Sequence, residues 1–296
     1  MNIMAAASNA NLLIATLVLL AAILDRGSCE VDENIIDLSH KYSNTAMVTW
    51  PMLLKFNISV GFKGLTPGGV YYEEKRFCTS EHSGTHVDAP LHFYEHAQSV
   101  DKIPLKTLIG PGAVIDVSGK TDDDPSYEVT VQDILDWEAD NGRIPDGAVL
   151  LLNTGWHRRW PNDVEYLGTK ADVNNPFNPD YRWPGLAGKT AQWLADSRSI
   201  GVYGVDCVSI DYSGSSTFPV HKIFLSPEHG IPSLENVANL DAMPPTGTRV
   251  YAIPMYIRDG TGAPTRLFAV VNGGQRHLPA FGLVAVIVLL ARRCLL

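Results

Sequence analysis

No cluster of lysine or arginine occurs anywhere in this 296-residue chain, and its formal charge is −9. That balance argues against a nucleic-acid partner, because neutralising phosphates requires a basic face. Internal repeats, low-complexity tracts and linkers long enough to separate domains are also missing. One domain is therefore expected from a chain that is 45% hydrophobic and long enough for a sizeable core. No uninterrupted apolar run reaches the length of a bilayer span: Leu12–Leu24 and Ala280–Ala291 are both too short. A Gly-x-Ser-x-Gly elbow is absent too, and Gly214-Ser215-Ser216 lacks the required flanks, so a serine nucleophile is not expected.

Cysteine is scarce, with four in all. Cys29 falls in residues 1–29, which read as a secretory signal peptide: an apolar run, then a polar turn, then small residues suited to cleavage before Glu30. No basic residue precedes the run, and a buried N-terminal helix is the alternative. Cys294 falls in the apolar tail 273–296. With the small residues Gly273 and Gly274 upstream, that tail resembles a signal for a glycosylphosphatidylinositol anchor; Arg292 and Arg293 fit the pattern poorly, and a docked C-terminal helix fits as well. The expected folded domain is thus residues 30–272, extracellular or tethered at the cell surface. Cys78 and Cys207 remain. They could pair in an oxidising compartment, or Cys207 could be a small buried hydrophobe in an apolar strand. Asn57-Ile58-Ser59 is a glycosylation sequon.

Between the ends, β-branched runs predict strands at 35–38, 70–72, 112–117, 148–153, 200–205, 250–257 and 267–271. Helices are expected at 130–140, opened by a Thr-Val-Gln-Asp cap, at 189–197, and after His221. Helices falling between strands indicate a mixed α/β class. The continuous apolar run at 148–152 predicts a central strand buried on both faces. Residues 158–183 show little pattern, and a loop that long often covers a site.

Only nine histidines exist, and three of them crowd one segment. His82, His86, Asp88 and His92 share one parity, so an extended chain would present them on the same side. Gly84 lets the backbone bend and bring His82 towards His86. Imidazole nitrogen with carboxylate oxygen suits zinc or manganese and not calcium. Such histidines can also be surface or packing residues, and the pattern alone supports no more than a metal site.

The stretch Ser83-Gly84-Thr85-His86-Val87-Asp88-Ala89-Pro90-Leu91-His92-Phe93, preceded by His82, resembles the signature of the cyclase family that includes bacterial-type kynurenine formamidase and isatin hydrolase. In the same order, Asp37-Leu38-Ser39-His40, Ile103-Pro104-Leu105, Leu151-Leu152-Asn153-Thr154-Gly155-Trp156, Gly204-Val205-Asp206-Cys207-Val208-Ser209-Ile210-Asp211 and Pro219-Val220-His221 are similar to that family across residues 32 to 271. The resemblance implies a single mixed-sheet α/β domain, with strands around a metal site and flanking helices. It implies His82, His86 and Asp88 as metal ligands, and His92 as the proton-transfer residue. His221 and Glu235 match a second ligand set, with Asp88 bridging one or two zinc or manganese ions. Glu228 and His229, in a segment longer than the family pattern, compete with Glu235, whose context Ile231-Pro232-Ser233-Leu234-Glu235-Asn236 is the more family-like.

The implied reaction is hydrolysis of an amide by metal-activated water. Trp50, Phe62, Tyr71, Trp156 and Trp160 lie in segments resembling pocket-forming regions of the family and suit a flat aryl amide, such as N-formylkynurenine or isatin. Each can equally be core. Thr154 and Ser209 are candidates for the substrate's polar end. A homo-oligomer is implied by likeness alone. Two other readings stay open: a secreted metal-binding protein of the same fold without catalysis, and a lyase or cyclase on the same scaffold.

Overall fold

The computed structural model describes residues 34–169, 175 and 178–271, so the expected leader (1–29) and tail (273–296) lie outside the described residues. Along the chain run β1 (Asn34–Asp37), β2 (Asn57–Leu65), β3 (Tyr71–Cys78), β4 (His86–Asp88), β5 (Ile109–Asp116), α1 (Ser118–Asp123), β6 (Glu128–Val129), α2 (Val131–Asn141), β7 (Ala148–Asn153), α3 (Asp163–Tyr166), β8 (Gly185–Leu186), α4 (Gly188–Ser197), β9 (Ile200–Val205), α5 (Pro219–Phe224), β10 (Ser233–Glu235), β11 (Thr248–Pro254) and β12 (Gly262–Val271). Short 3-10 turns cover Pro90–His92 and Trp156–Arg159. Among the described residues no helix is long and apolar enough to cross a membrane.

Eight strands form one sheet in the order β1-β12-β11-β5-β7-β9-β10-β4. The long strand β12 pairs with β11 along its length and with β4 through Gly262–Pro264, closing seven of the strands into a ring. Strands β5, β7, β9 and β10 are parallel. Their crossovers carry helices, as parallel strands require.

The predicted central strand is β7, and all six of its residues are buried. Its alternation serves two cores. Val149 and Leu151 point into the ring with Val87, Val114, Val202, Leu234, Val250, Ala263 and Leu267. Ala148, Leu150 and Leu152 point outward, under Ile134 of α2, Leu194 of α4, and Val220 and Phe224 of α5. Each buried Val or Leu here contributes about 1.5–3 kcal/mol, which is why the run is continuous and not alternating. Helix α2 starts as expected: Thr130 accepts from Asp133 N, and the Asp133 carboxylate accepts from Thr130 N at 2.6 Å.

The structure departs from expectation at the weakly patterned elements. Strand β2 was not expected: Ile58, Val60 and Phe62 alternate along it, but Gly61 and Gly64 interrupt the run, and the β2–β3 hairpin is almost wholly exposed. Strands β4 and β10, three residues each, are defined by their partners. Helix α5 begins at Pro219, so His221 lies inside its first turn and not before it. Cys78 and Cys207 do not pair: Cys78 is exposed, and Cys207 is a buried member of the outer core.

Candidate active site

Register and parity assemble the first half of the site. On β4, Val87 faces the ring interior, so His86 and Asp88 face outward; on β10, Leu234 faces inward, so Ser233 and Glu235 face outward beside them. The antiparallel register sets Glu235 opposite His86 and Ser233 opposite Asp88. The ring's interior is therefore apolar, and the site sits on its outer face, capped by α5.

His82 reaches the site through the bend at Gly84, where φ is +63° and a Cβ would lie 2.8 Å from Met47 Cε and 2.9 Å from Tyr42 Cζ. Only glycine fits both the conformation and the gap. The two imidazole centroids stand 5.3 Å apart. Tyr42 OH donates to the carbonyls of Ser83 and Thr85, and Asn236 Nδ2 donates to Gly84 O, pinning the bend. His221 comes from the other half of the chain. Asp211 accepts from Val220 N and His221 N, so it holds the start of α5, and from His221 Nδ1 at 2.6 Å, so it also turns Nε2 towards the site.

Asp88 is the hub. Its Oδ1 lies 2.7 Å from His82 Nδ1 and 3.2 Å from His86 Nε2, and its Oδ2 lies 3.7 Å from His221 Nε2 and accepts from Ser233 Oγ at 2.8 Å. Glu235 approaches His221 Nε2 at 3.1 Å and His86 Nε2 at 3.5 Å. Among the described residues, two groups could hold a metal ion, His82/His86/Asp88 and Asp88/His221/Glu235, and Asp88 belongs to both. The fold thus brings His82, His86, Asp88, His221 and Glu235 together. The rivals do not converge: Glu228 sits in a turn, and His229 faces Asp196 at 3.9 Å.

Electrostatics fit a cation. Burial alone would drive the His86 imidazole down, yet the charge and hydrogen bond of Asp88, then Glu235, raise it to about 9. His221 is likewise raised to about 10, burial being overcome by Asp211 and Glu235. Burial pushes the Asp88 carboxyl up, but His86 and His82 hold it well below the usual range. Surroundings that draw protons this strongly also draw a divalent ion, and metal competes for the same lone pairs. His86 Nδ1 is committed to Gly84 O at 2.8 Å, which turns its buried Nε2 towards the carboxylates of Asp88 and Glu235, the orientation a metal-binding imidazole needs.

His92 is brought in by the 3-10 turn and not by an extended chain. Its ring stacks on His82 at 3.8 Å and lies 6.1 Å from that of His221. Loss of hydration, opposed by Asp88 and reinforced by His82, His221 and His86, holds its imidazole below the usual histidine range. With His82, His221 and Glu235 it lines a cavity of about 300 Å³ walled by Trp50, Leu53, Phe93, Val208, Ser209 and Phe218. A larger cavity of about 580 Å³ lies beside the base of the hairpin, between Phe56, Phe77 and Met255. It contains neither metal-binding group, so the chemistry belongs to the smaller one.

Among the expected substrate contacts, Trp50 and Ser209 line the cavity and the others do not. Phe62 is 43% exposed, on the hairpin. Trp156 is buried in the outer core with Nε1 donating to Tyr166 O, and Thr154 is buried on Asp206, its hydroxyl donating at 2.5 Å. Both serve packing. Tyr71 is on the hairpin, and Trp160 stacks on His40 at 4.0 Å. Phe93 and Phe218 supply the missing walls. Their signal was present in the sequence, since each adjoins a histidine-bearing motif. Asp211, Ser233 and Asn236 fall inside segments that resemble the family, but their roles rest on contacts across the fold that no local pattern marks.

The chain is similar to known proteins in sequence and fold. A family model described as "Putative cyclase" matches residues 36–212. The chain is 30% identical to an isatin hydrolase of Roseibium aggregatum over 211 residues, covering 69% of this chain and 76% of that one. It is 29% identical to a kynurenine formamidase of Bacillus cereus over 234 residues, covering 78% and 94%. Among solved structures, isatin hydrolase A from Labrenzia aggregata, bound to benzyl benzoate, superposes with a TM-score of 0.71 at 29% identity over 87% of this chain and 99% of that one. An isatin hydrolase bound to the product analogue thioisatinate gives 0.71 at 27%, over 87% and 98%.

Proposed function

Because the chain belongs to the cyclase family, we propose that it is a metal-dependent hydrolase cleaving the amide of an aryl formamide or a cyclic aryl amide, of the kind its relatives are named for. The observation that carries this is the pair of donor groups sharing Asp88 at the floor of an aromatic-walled cavity. The donor set of three imidazoles and two carboxylates suits zinc or manganese, as one ion or as two bridged by Asp88. A bound divalent ion supplies Lewis acidity and a water of lowered pKa.

The chain's own residues do the rest. His82, His86 and His221 hold lone pairs towards Asp88 and Glu235. Trp50, Phe93 and Phe218 present ring faces and edges that fit a flat aryl group and exclude water from it. Ser209 offers a hydroxyl at the same wall. His92, kept neutral by its surroundings, starts as a base: it takes a proton from the attacking water and returns it to the departing nitrogen. A cysteine nucleophile is disfavoured, since burial and then Asp206 push the Cys207 thiol well above its ordinary value. The test is a panel of N-formyl anilides, N-formylkynurenine and isatin, with and without chelator. Hydrolysis abolished by chelator and restored by zinc or manganese is expected; turnover that survives chelation removes this reading.

We further propose that the chain is exported, losing residues 1–29, and works as a homodimer. The exposed sequon residue Asn57 supports export. The β2–β3 hairpin supports pairing: Val60, Phe62, Leu65, Val70, Tyr71 and Tyr72 are exposed on it, and a lone two-stranded hairpin is marginal in water unless something covers it. Native mass spectrometry of secreted protein should show a dimer of chains starting at Glu30 and read whether the tail 273–296 is kept. A monomer starting at Met1 contradicts both.

A further inference from the structure

His86 and His221 are each oriented by one group, Gly84 O and the Asp211 carboxylate; His82 has a longer arrangement that the proposed mechanism does not use. Its Nε2 lies 2.8 Å from Thr261 Oγ1, and Thr261 Oγ1 lies 2.6 Å from Glu81 Oε2, which also accepts from Thr261 N at 3.0 Å. A threonine hydroxyl has one proton, and a carboxylate accepts without donating. The Thr261 proton therefore goes to Glu81, and the hydroxyl oxygen is left to accept from His82 Nε2–H. With a metal bound, this leaves the His82 lone pair on Nδ1, 2.7 Å from Asp88 Oδ1; without one, a second proton on Nδ1 serves the same contact.

The backbone around Thr261 is shaped for this. A Cβ on Gly262 would lie 2.6 Å from His82 Cε1 and 3.0 Å from its Nδ1, and a Cβ on Gly260 would lie 3.0 Å from Glu81 Oε1. Both glycines let the start of β12 lie flat against the Glu81–His82 pair. Pairing of Gly262 with Asp88, and donation from Ala89 N to Thr261 O at 2.9 Å, fix the segment in register.

We infer that Glu81 and Thr261 are positioning residues that lock His82 as the Nε2–H tautomer, so that it binds the metal through Nδ1 while His86 and His221 bind through Nε2. This rests on the metal-site reading above. Orienting partners of this kind commonly account for about 10- to 100-fold in metal affinity. Thr261→Val keeps the shape and removes the relay, so its affinity for zinc, measured by competition with a chromogenic chelator, should fall by about that factor, while Thr261→Ser recovers most of it. Thermal unfolding of the metal-free forms should be unchanged, separating positioning from general packing. In the wild-type protein, ¹⁵N-resolved histidine NMR with zinc bound should show His82 protonated at Nε2, a reading that does not need any variant to fold. Wild-type affinity in Thr261→Val, or an Nδ1–H signal for His82, overturns the inference. If Asp88→Asn also keeps wild-type affinity, the metal-site reading itself has failed.

Discussion

Asp88→Asn is expected to strip the protein of its divalent metal and, with it, all hydrolysis above background. The carboxylate is 1% exposed and is the one residue common to both donor groups. Its two oxygens face His82 and His86 on one side and His221 on the other. Asparagine preserves shape and can still accept from Ser233, but it removes the only charge adjoining all three imidazoles. It also substitutes an amide nitrogen, a donor, for one of two acceptor oxygens. A buried charge cluster that loses one partner is left uncompensated, at a cost of about 3–5 kcal/mol. Metal analysis of the dialysed protein is the check; one full equivalent retained in Asp88→Asn would mean that the site lies elsewhere.

His92→Ala should separate metal binding from proton transfer. His92 lines the cavity and stacks on His82 but is in neither donor group. Metal content should stay near wild type, whereas kcat falls by about 10²- to 10⁴-fold, the usual contribution of a positioned proton carrier. KM should change little, since the aromatic walls are intact. Parallel loss of metal and activity would make His92 a ligand or a support for His82 and remove it from proton transfer.

Residues with local signatures were legible in the sequence. The histidine segment at 82–92 announced itself by density and parity, β7 by its unbroken apolar run, and α2 by its cap. Resemblance extended the ligand set to His221 and Glu235, and the fold brings both to Asp88. What could not be read was whatever depends on pairing at long range. Strand β4 is three residues that become a strand only between β10 and β12. The aromatic residues show the same limit in reverse. Trp156 and Phe62 have the right chemistry for a pocket, yet one is core and the other is on a projecting hairpin, because burial is decided by topology and not by residue type. Glu81 and Thr261, 180 positions apart, were invisible for the same reason.

The closing of the ring by β12 sets an order of events for biosynthesis. Strand β12 pairs with one edge of β4 and β10 with the other, so a nascent chain that has not yet emitted residues 262–271 has His82, His86 and Asp88 but only half of the frame that holds them. High-affinity metal capture is therefore postponed until nearly the whole domain has emerged, and contacts spanning about half the chain or more make that last step slow in comparison with local folding. The same dependence makes β12 a proofreading element: a chain cut short anywhere before it should emerge without the ion, and so without the activity.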